Sequence, residues 1–161
     1  MFACCAVRVK VCGVCGIGEG NSGLPLRIRL VEEKDRWEVI ALGSREFPYI
    51  EHPDAFFLER MENHYFFVAE VDGKFAGFID MEPERGDTAL IAGFAVRPEL
   101  RGKGIGTELL KFALRFLKAV GFKKAVIYSK NGNSAANRIY RKFGFSVVKE
   151  CNGILKWEKE L

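Results

Sequence analysis

The chain reads as an α/β protein built on a mixed, largely antiparallel sheet of six or seven strands flanked by helices. Several short runs alternate apolar and polar residues with a period of two, and others switch to helical spacing. Asp72-Gly73 and Asn152-Gly153 stand where tight hairpins turn.

Leu26 to Leu30 alternates as a half-buried strand does, and Glu32 to Leu42 carries Trp37, Ile40 and Ala41 at helical spacing. Phe47-Pro48-Tyr49 and His52-Pro53 break the pattern into a loop, after which Asp54 is placed to cap a short helix running to about Asn63. Tyr65 to Val71 and Phe75 to Met81 form a hairpin around Asp72-Gly73. Thr88 to Val96 is a strand so apolar that burial on both faces is expected. The clearest helix follows, with Ile105, Leu109, Leu110, Ala113, Phe116, Leu117 and Val120 on one face and Gly121 placed to end it. Lys124 to Ser129 is a strand. Asn133 or Ser134 caps a helix to about Phe143, and Gly144 stops it. Ser146 to Cys151 and Ile154 to Glu158 make a last hairpin.

A length of 161 residues suits one domain, and its dense periodic part begins at Leu26. Residues 1–25 form a Cys- and Gly-rich extension ending in a linker-like stretch, Gly18 to Gly23, and 26–161 form the domain. Val7 to Val11 could add an edge strand. The formal net charge of +4 is too mild to argue for nucleic acid or membrane. No apolar run is long enough to cross a bilayer, and no basic region precedes the apolar start, so a cytoplasmic protein is expected. The five cysteines are odd in number and crowd toward the start, which is not a disulfide framework. Cys4, Cys5, Cys12 and Cys15 could bind zinc, but adjacent cysteines rarely share one ion and no histidine is near. No metal is expected.

The chemistry sits in Val96-Arg97-Pro98-Glu99-Leu100-Arg101-Gly102-Lys103-Gly104-Ile105-Gly106-Thr107. A strand ends, a glycine-rich loop turns and a helix begins. The first helical amides lack intrahelical acceptors and point outward, the helix dipole adds positive potential, and glycines let a phosphate approach the backbone. This is a pyrophosphate cradle. A P-loop would need glycine where Arg97 stands and a hydroxyl residue where Gly104 stands. A dinucleotide fingerprint would need one more residue between Gly104 and Gly106. A literal match at Gly18, Gly20 and Gly23 runs into Leu24-Pro25 instead of a helix.

What fits is Arg/Gln-x-x-Gly-x-Gly/Ala, carried by Arg101 to Gly106 behind a strand ending Phe94-Ala95-Val96. This resembles the acyl-CoA signature of the GCN5-related N-acetyltransferase (GNAT) family. Asn133-Ser134-Ala135-Ala136-Asn137-Arg138-Ile139-Tyr140-Arg141-Lys142-Phe143-Gly144-Phe145 resembles that family's Asn-x-x-Ala-x-x-x-Tyr-x-x-x-Gly-Phe segment. The resemblance covers about Leu26 to Leu161.

It implies an acetyl-CoA-dependent N-acetyltransferase whose acceptor is a protein N-terminus, a lysine or a small-molecule amine, attacked directly in a ternary complex. Acetyl-CoA is then a co-substrate. Its pantetheine arm is expected along Phe94, Ala95 and Val96, its pyrophosphate on the amides of Arg101, Gly102, Lys103, Gly104, Ile105, Gly106 and Thr107, with Asn133 orienting the arm. Tyr140 matches the usual general acid: a phenol titrating near 10 stays protonated at neutral pH and can donate to a leaving thiolate. Some family members carry a glutamate base in the strand matching Thr88 to Val96, where this chain has Leu90. Glu51, His52, Glu82 and Glu84 are the other candidates. Tyr49, His52, Phe56 and Phe57 lie where the family builds its acceptor site. The sequence also allows a non-catalytic acyl-CoA sensor or a nucleotide-binding protein, and leaves open whether the chain forms a homodimer.

Overall fold

The computed structural model describes residues 25–161. The extension, the strand considered at Val7 to Val11 and the four N-terminal cysteines lie outside the described residues. The rest folds into a seven-stranded sheet in the order β1-β2-β3-β4-β5-β7-β6, with four α-helices. Strands β1 (Leu26–Leu30), β2 (Tyr65–Val71), β3 (Lys74–Pro83) and β4 (Thr88–Val96) pair antiparallel in sequence order. β5 (Lys124–Lys130) lies parallel to β4 and antiparallel to β7 (Ile154–Glu160), whose other edge carries β6 (Ser146–Cys151). Both hairpins turn where expected, with positive φ at Asp72 and Gly73 and at Asn152 and Gly153.

Helices α1 (Arg36–Glu46) and α2 (Pro53–Asn63) cover one face of the sheet, and α3 (Ile105–Ala119) and α4 (Ser134–Lys142) the other. Leu109, Leu110, Ala113 and Leu117 of α3 are fully buried against Ile79, Met81, Ala89 and Ile91. On the opposite face Val39, Ile40 and Leu42 of α1 and Phe57 of α2 pack on Phe66, Val68 and Phe78.

Three boundaries of the first two helices differ from expectation. A 3-10 turn at Glu33–Asp35 precedes α1, and α1 runs on to Glu46. Gly43 is a poor helix residue, but here it is the seat for the Phe57 ring: a Cβ on Gly43 would stand 2.2 Å from that ring. Packing between α1 and α2 outweighs local propensity. α2 begins at Pro53, which needs no amide partner in the first turn, so Asp54 lies inside the helix and does not cap it.

The expectation of a doubly buried β4 is corrected. Ala89, Ile91 and Ala95 are buried, while Ala92 is exposed and Leu90, Gly93, Phe94 and Val96 are half-buried. The register with β3 shifts between Asp80–Gly93 and Met81–Ile91, so Ala92 has no partner. This bulge reverses the alternation of side chains. Ile91 faces α3, whereas Ala95 joins the α1–α2 cluster, and Phe94 and Val96 turn to the α3 side.

Candidate active site

β4 and β5 pair only from Thr88–Lys124 to Ile91–Ile127. Beyond that point β4 follows β3 and β5 follows β7, so the two strands part and leave an opening through the sheet. In an antiparallel strand, the N–H and C=O of one residue point to the same side and alternate along the chain. The Arg97 amide donates to the Ala76 carbonyl on β3 at 2.9 Å, and the Ala95 carbonyl crowds Gly77 of the same strand. The backbone groups of Phe94 and Val96 therefore face the opening. Ala95 was expected among the backbone contacts with them, but its polar groups are turned to β3.

The start of α3 stands beside this opening. Gly104 adopts φ +84° as the residue before the helix, and no side chain caps its amides. Glu108 makes the first intrahelical bond, to Gly104. The amides of Ile105, Gly106 and Thr107 thus precede any intrahelical acceptor. Gly102, Lys103 and Gly104 are exposed, Ile105 is buried beneath them, and Gly106 and Thr107 are half-buried. A Cβ on Gly106 would lie 3.5 Å from Phe94 and 3.8 Å from Val96, which places this turn directly against the opening. Arg101 is differently engaged. Its amide donates to Pro98, its Nε to the Val96 carbonyl at 3.0 Å, and its guanidinium pairs with Glu46 at 2.5 Å. The free donors begin after it.

α4 brings Tyr140 to the other side of the opening. The ring is buried between Phe94, Phe145 and Trp157, with centroids 6.4, 6.0 and 5.7 Å away. Burial pushes the phenol well above its ordinary value, so it stays neutral. Asn133 accepts from the Ala136 amide at 3.3 Å and caps α4. The helix is held to β5 by Asn137, which the sequence reading did not single out. Asn137 accepts from Ser129 Oγ at 2.6 Å and donates to the carbonyls of Lys130 and Asn131, and Trp157 Nε1 donates to Ser129.

On the α1–α2 face, next to the bulge, lies a cavity of about 560 Å³. Phe47, Tyr49, Phe56, Phe57 and Phe78 form its apolar walls, Glu51 and His52 its polar rim, and Arg60, Asp80, Ala92 and Gly93 complete it. The expected acceptor residues Tyr49, His52, Phe56 and Phe57 come together here. Of the candidate bases, Glu51 and His52 reach the cavity, Glu82 pairs with Arg60 at 3.4 Å, and Glu84 is exposed.

The residues missed are Asp80, Arg60 and His64. Asp80 is 3% exposed and is bound by Arg60 Nε. His64 Nδ1 lies 3.4 Å from Asp80 Oδ1 and 3.5 Å from Glu82 Oε2. Asp80 Oδ1, His64 Nδ1 and Arg60 Nη2 are all buried and make no hydrogen bond, and the longer contacts between His64 and Asp80 and between Arg60 and Glu82 are what faces them. Titratable groups clustered and buried in this way beside a cavity mark a candidate working site. The visible signal was an acid inside the apolar run Phe78-Ile79-Asp80-Met81. Among the described residues no group of His, Cys, Asp and Glu is arranged to hold a metal ion, and no helix is long and apolar enough to cross a membrane.

A sheet split between β4 and β5, with bare helix amides on one face and an aromatic cavity on the other, defines a transferase-like site that can receive two partners from opposite sides. Residues 32–145 match the acetyltransferase (GNAT) family. An N-alpha-acetyltransferase of Sulfurisphaera tokodaii is 31% identical over 145 residues, covering 81% of this chain and 86% of that protein. Some other relatives are longer, and the chain spans 49% of one and 26% of another. Among solved structures, the PaiA N-acetyltransferase of Thermoplasma acidophilum in complex with coenzyme A superposes with a TM-score of 0.70 at 22% identity, covering 84% of this chain and 99% of that one. The ribosomal-protein-S18-alanine N-acetyltransferase of Escherichia coli gives 0.73 at 20% identity, covering 84% and 93%. The chain belongs to the GNAT family and is an N-acetyltransferase.

Proposed function

We propose that the protein transfers an acetyl group from acetyl-CoA to a primary amine by direct attack in a ternary complex. The observation that carries this reading is the parting of β4 and β5 after Ile91–Ile127. It lies between the α3 amides on one face and the aromatic cavity on the other.

The residues present suit the co-substrate. A diphosphate fits the amides of Ile105, Gly106 and Thr107, with Gly102, Lys103 and Gly104 leaving its approach unobstructed. The backbone groups of Phe94 and Val96 are oriented to bond a pantetheine arm lying in the opening. The Arg101 amide, expected to hold the diphosphate, is given to the Pro98 carbonyl, and its guanidinium to Glu46 and the Val96 carbonyl. Asn133, already the cap of α4, follows the end of β5, the second strand of the opening. The acceptor nitrogen attacks the thioester carbonyl, and the C–S bond breaks. A thiol titrates near 8.5, far below the buried phenol of Tyr140, so Tyr140 acts by donating a hydrogen bond to the leaving sulfur and keeps its own proton. The similar N-alpha-acetyltransferase makes polypeptide N-termini the first acceptors to try.

The test is thioester consumption with acetyl-CoA and a panel of primary amines, alongside calorimetry with CoA. Consumption together with CoA affinity is expected. Tight CoA binding without consumption for any amine would make the chain an acyl-CoA sensor. Binding of ATP that acetyl-CoA does not displace would make it a nucleotide-binding protein.

A further inference from the structure

We propose that Asp80 is the carboxylate that receives the acceptor's ammonium group and takes the proton it must shed, with His64 behind it as the outlet to solvent. The inference rests on the acetyl-transfer reading and adds the acceptor's chemistry: a primary amine beside an apolar group.

The placement follows from the sheet. Phe78 belongs to the α1–α2 cluster, and side chains two apart on a strand share a face, so Asp80 points to the same side. Its register partner is Gly93, the residue after the bulge and before Phe94, whose backbone borders the opening. Among the carboxylates around the cavity, Asp80 is the one buried at this junction. Its Oδ2 is taken by Arg60, and its Oδ1 makes no hydrogen bond, with His64 Nδ1 3.4 Å away.

Charge points the same way. Arg60 and His64 from the α2 side face Asp80 and Glu82 from β3, and Glu59 of α2 lies 3.9 Å from His64 Nε2. Protonated His64 and Arg60 together balance Asp80 and Glu82, and once His64 is neutral the two carboxylates carry one more charge than Arg60 can balance. An ammonium group supplies the missing cation. The walls beside it are Phe47, Phe56, Phe57 and Phe78, so the carbon skeleton next to the nitrogen is apolar.

The proton count closes. An ammonium acceptor loses two protons on becoming an amide. One ends on the departing sulfur. The other passes from nitrogen to Asp80, then to His64 Nδ1, and leaves from a ring that is 12% exposed. Asp80 beside the imidazole raises its titration above the ordinary value, against burial. Neutral His64 is the form that accepts a proton, so the rate falls on the acidic side, at a pH above that of an ordinary imidazole.

The experiment uses the full chain with acetyl-CoA and three probes: a short peptide with an apolar first residue, phenylethylamine, and putrescine. Asp80→Asn is expected to lower kcat/KM for the apolar amine by roughly 10²–10⁴-fold, to remove the acidic limb, and to leave CoA affinity unchanged. His64→Gln keeps the Arg60–Asp80 pair and is expected to abolish the acidic limb while the fold persists. Turnover of the peptide alone identifies a polypeptide N-terminus as the source of the amine, and turnover of phenylethylamine alone identifies a free one. Turnover confined to putrescine would overturn the proposal. So would an Asp80→Asn enzyme with native kcat/KM, or, should that variant not fold, a His64→Gln enzyme with the native pH profile. Wild-type protein that consumes acetyl-CoA with no amine at all would instead sink the acetyl-transfer reading beneath it.

Discussion

Ile91 and Ile127 are the last residues of β4 and β5 to stand in register, and both are buried under α3. The apolar core clamps the two strands up to this pair. Past it, β4 bulges at Ala92 and stays with β3, while β5 stays with β7. The cleft is therefore built by the pairing pattern, and the residues that hold it open are ordinary core residues.

Gly106 tests what the cleft is for. A side chain there begins 3.5 Å from Phe94, an ordinary contact, and replacing glycine within a helix gains up to about 1 kcal/mol. Gly106→Leu should therefore keep or raise the thermal midpoint while covering the amides at the start of α3. Calorimetry should find CoA affinity reduced at least about tenfold, some 1.4 kcal/mol. Native affinity in a folded Gly106→Leu protein would remove these amides from the binding site.

Tyr140 separates packing from chemistry. Tyr140→Phe keeps the ring among Phe94, Phe145 and Trp157, so stability at neutral pH should change by under about 1 kcal/mol. Turnover should fall with little change in CoA affinity. The pH dependence of stability has a definite sign. Burial raises the folded phenol above its unfolded value near 10. Its contribution is present below pH 10 and is lost as pH rises further, because only the unfolded chain then gains from ionisation. Tyr140→Phe should be relatively more stable than the wild type in alkaline denaturation. Parallel alkaline curves for the two proteins would contradict the buried, neutral assignment.

Much of this architecture is local and was legible from the residues. The glycine loop, the helix start at Gly104 and the Asn133 cap each depend on a few consecutive positions, and the structure puts them at the expected places. The two hairpin turns are equally local. The bulge was not legible, because Leu90-Ile91-Ala92-Gly93 reads as one apolar run, and only pairing with Asp80 and Met81 reveals the extra residue. The Arg60–His64–Asp80–Glu82 cluster joins α2 to β3 across a sequence gap that no periodicity spans. Asn137 looked like one more polar helix residue. Its role appears only when β5 lies beside α4.

Asn137 couples that packing to the site. It is 3% exposed and bonds Ser129, Lys130 and Asn131. At about 1 kcal/mol net for each bond, Asn137→Ala should cost about 3 kcal/mol in urea unfolding. Because α4 also carries Tyr140, the same change should lower kcat more than it weakens CoA. A variant with native kcat would show that α4 is positioned by its apolar contacts alone.

Far from the cleft, Arg29 offers a test of how the α1 end of the sheet is fastened. Its guanidinium forks onto both oxygens of Asp35, at 2.7 and 2.8 Å, and onto Glu70 at 2.6 and 2.9 Å. All three side chains are largely buried, at 8%, 6% and 11% exposure. Arg29→Met fills similar volume but strands two carboxylates, and breaking a buried pair from one side costs about 3–5 kcal/mol. In the wild type, burial works against the charge of Asp35, but the hydrogen bonds from Arg29 and the Glu32 amide outweigh it, so Asp35 titrates below its ordinary value. That stability is present above the unfolded value near 3.9 and is lost as pH falls through the lower folded one. In Arg29→Met the balance reverses, because an unpartnered buried carboxylate titrates upward and is relieved by protonation. The stability gap between the two proteins should therefore be widest at pH 7 and narrow toward pH 4. A gap that stays constant over that range would mean that Asp35 and Glu70 are hydrated once Arg29 is gone, and that the penalty is one of packing.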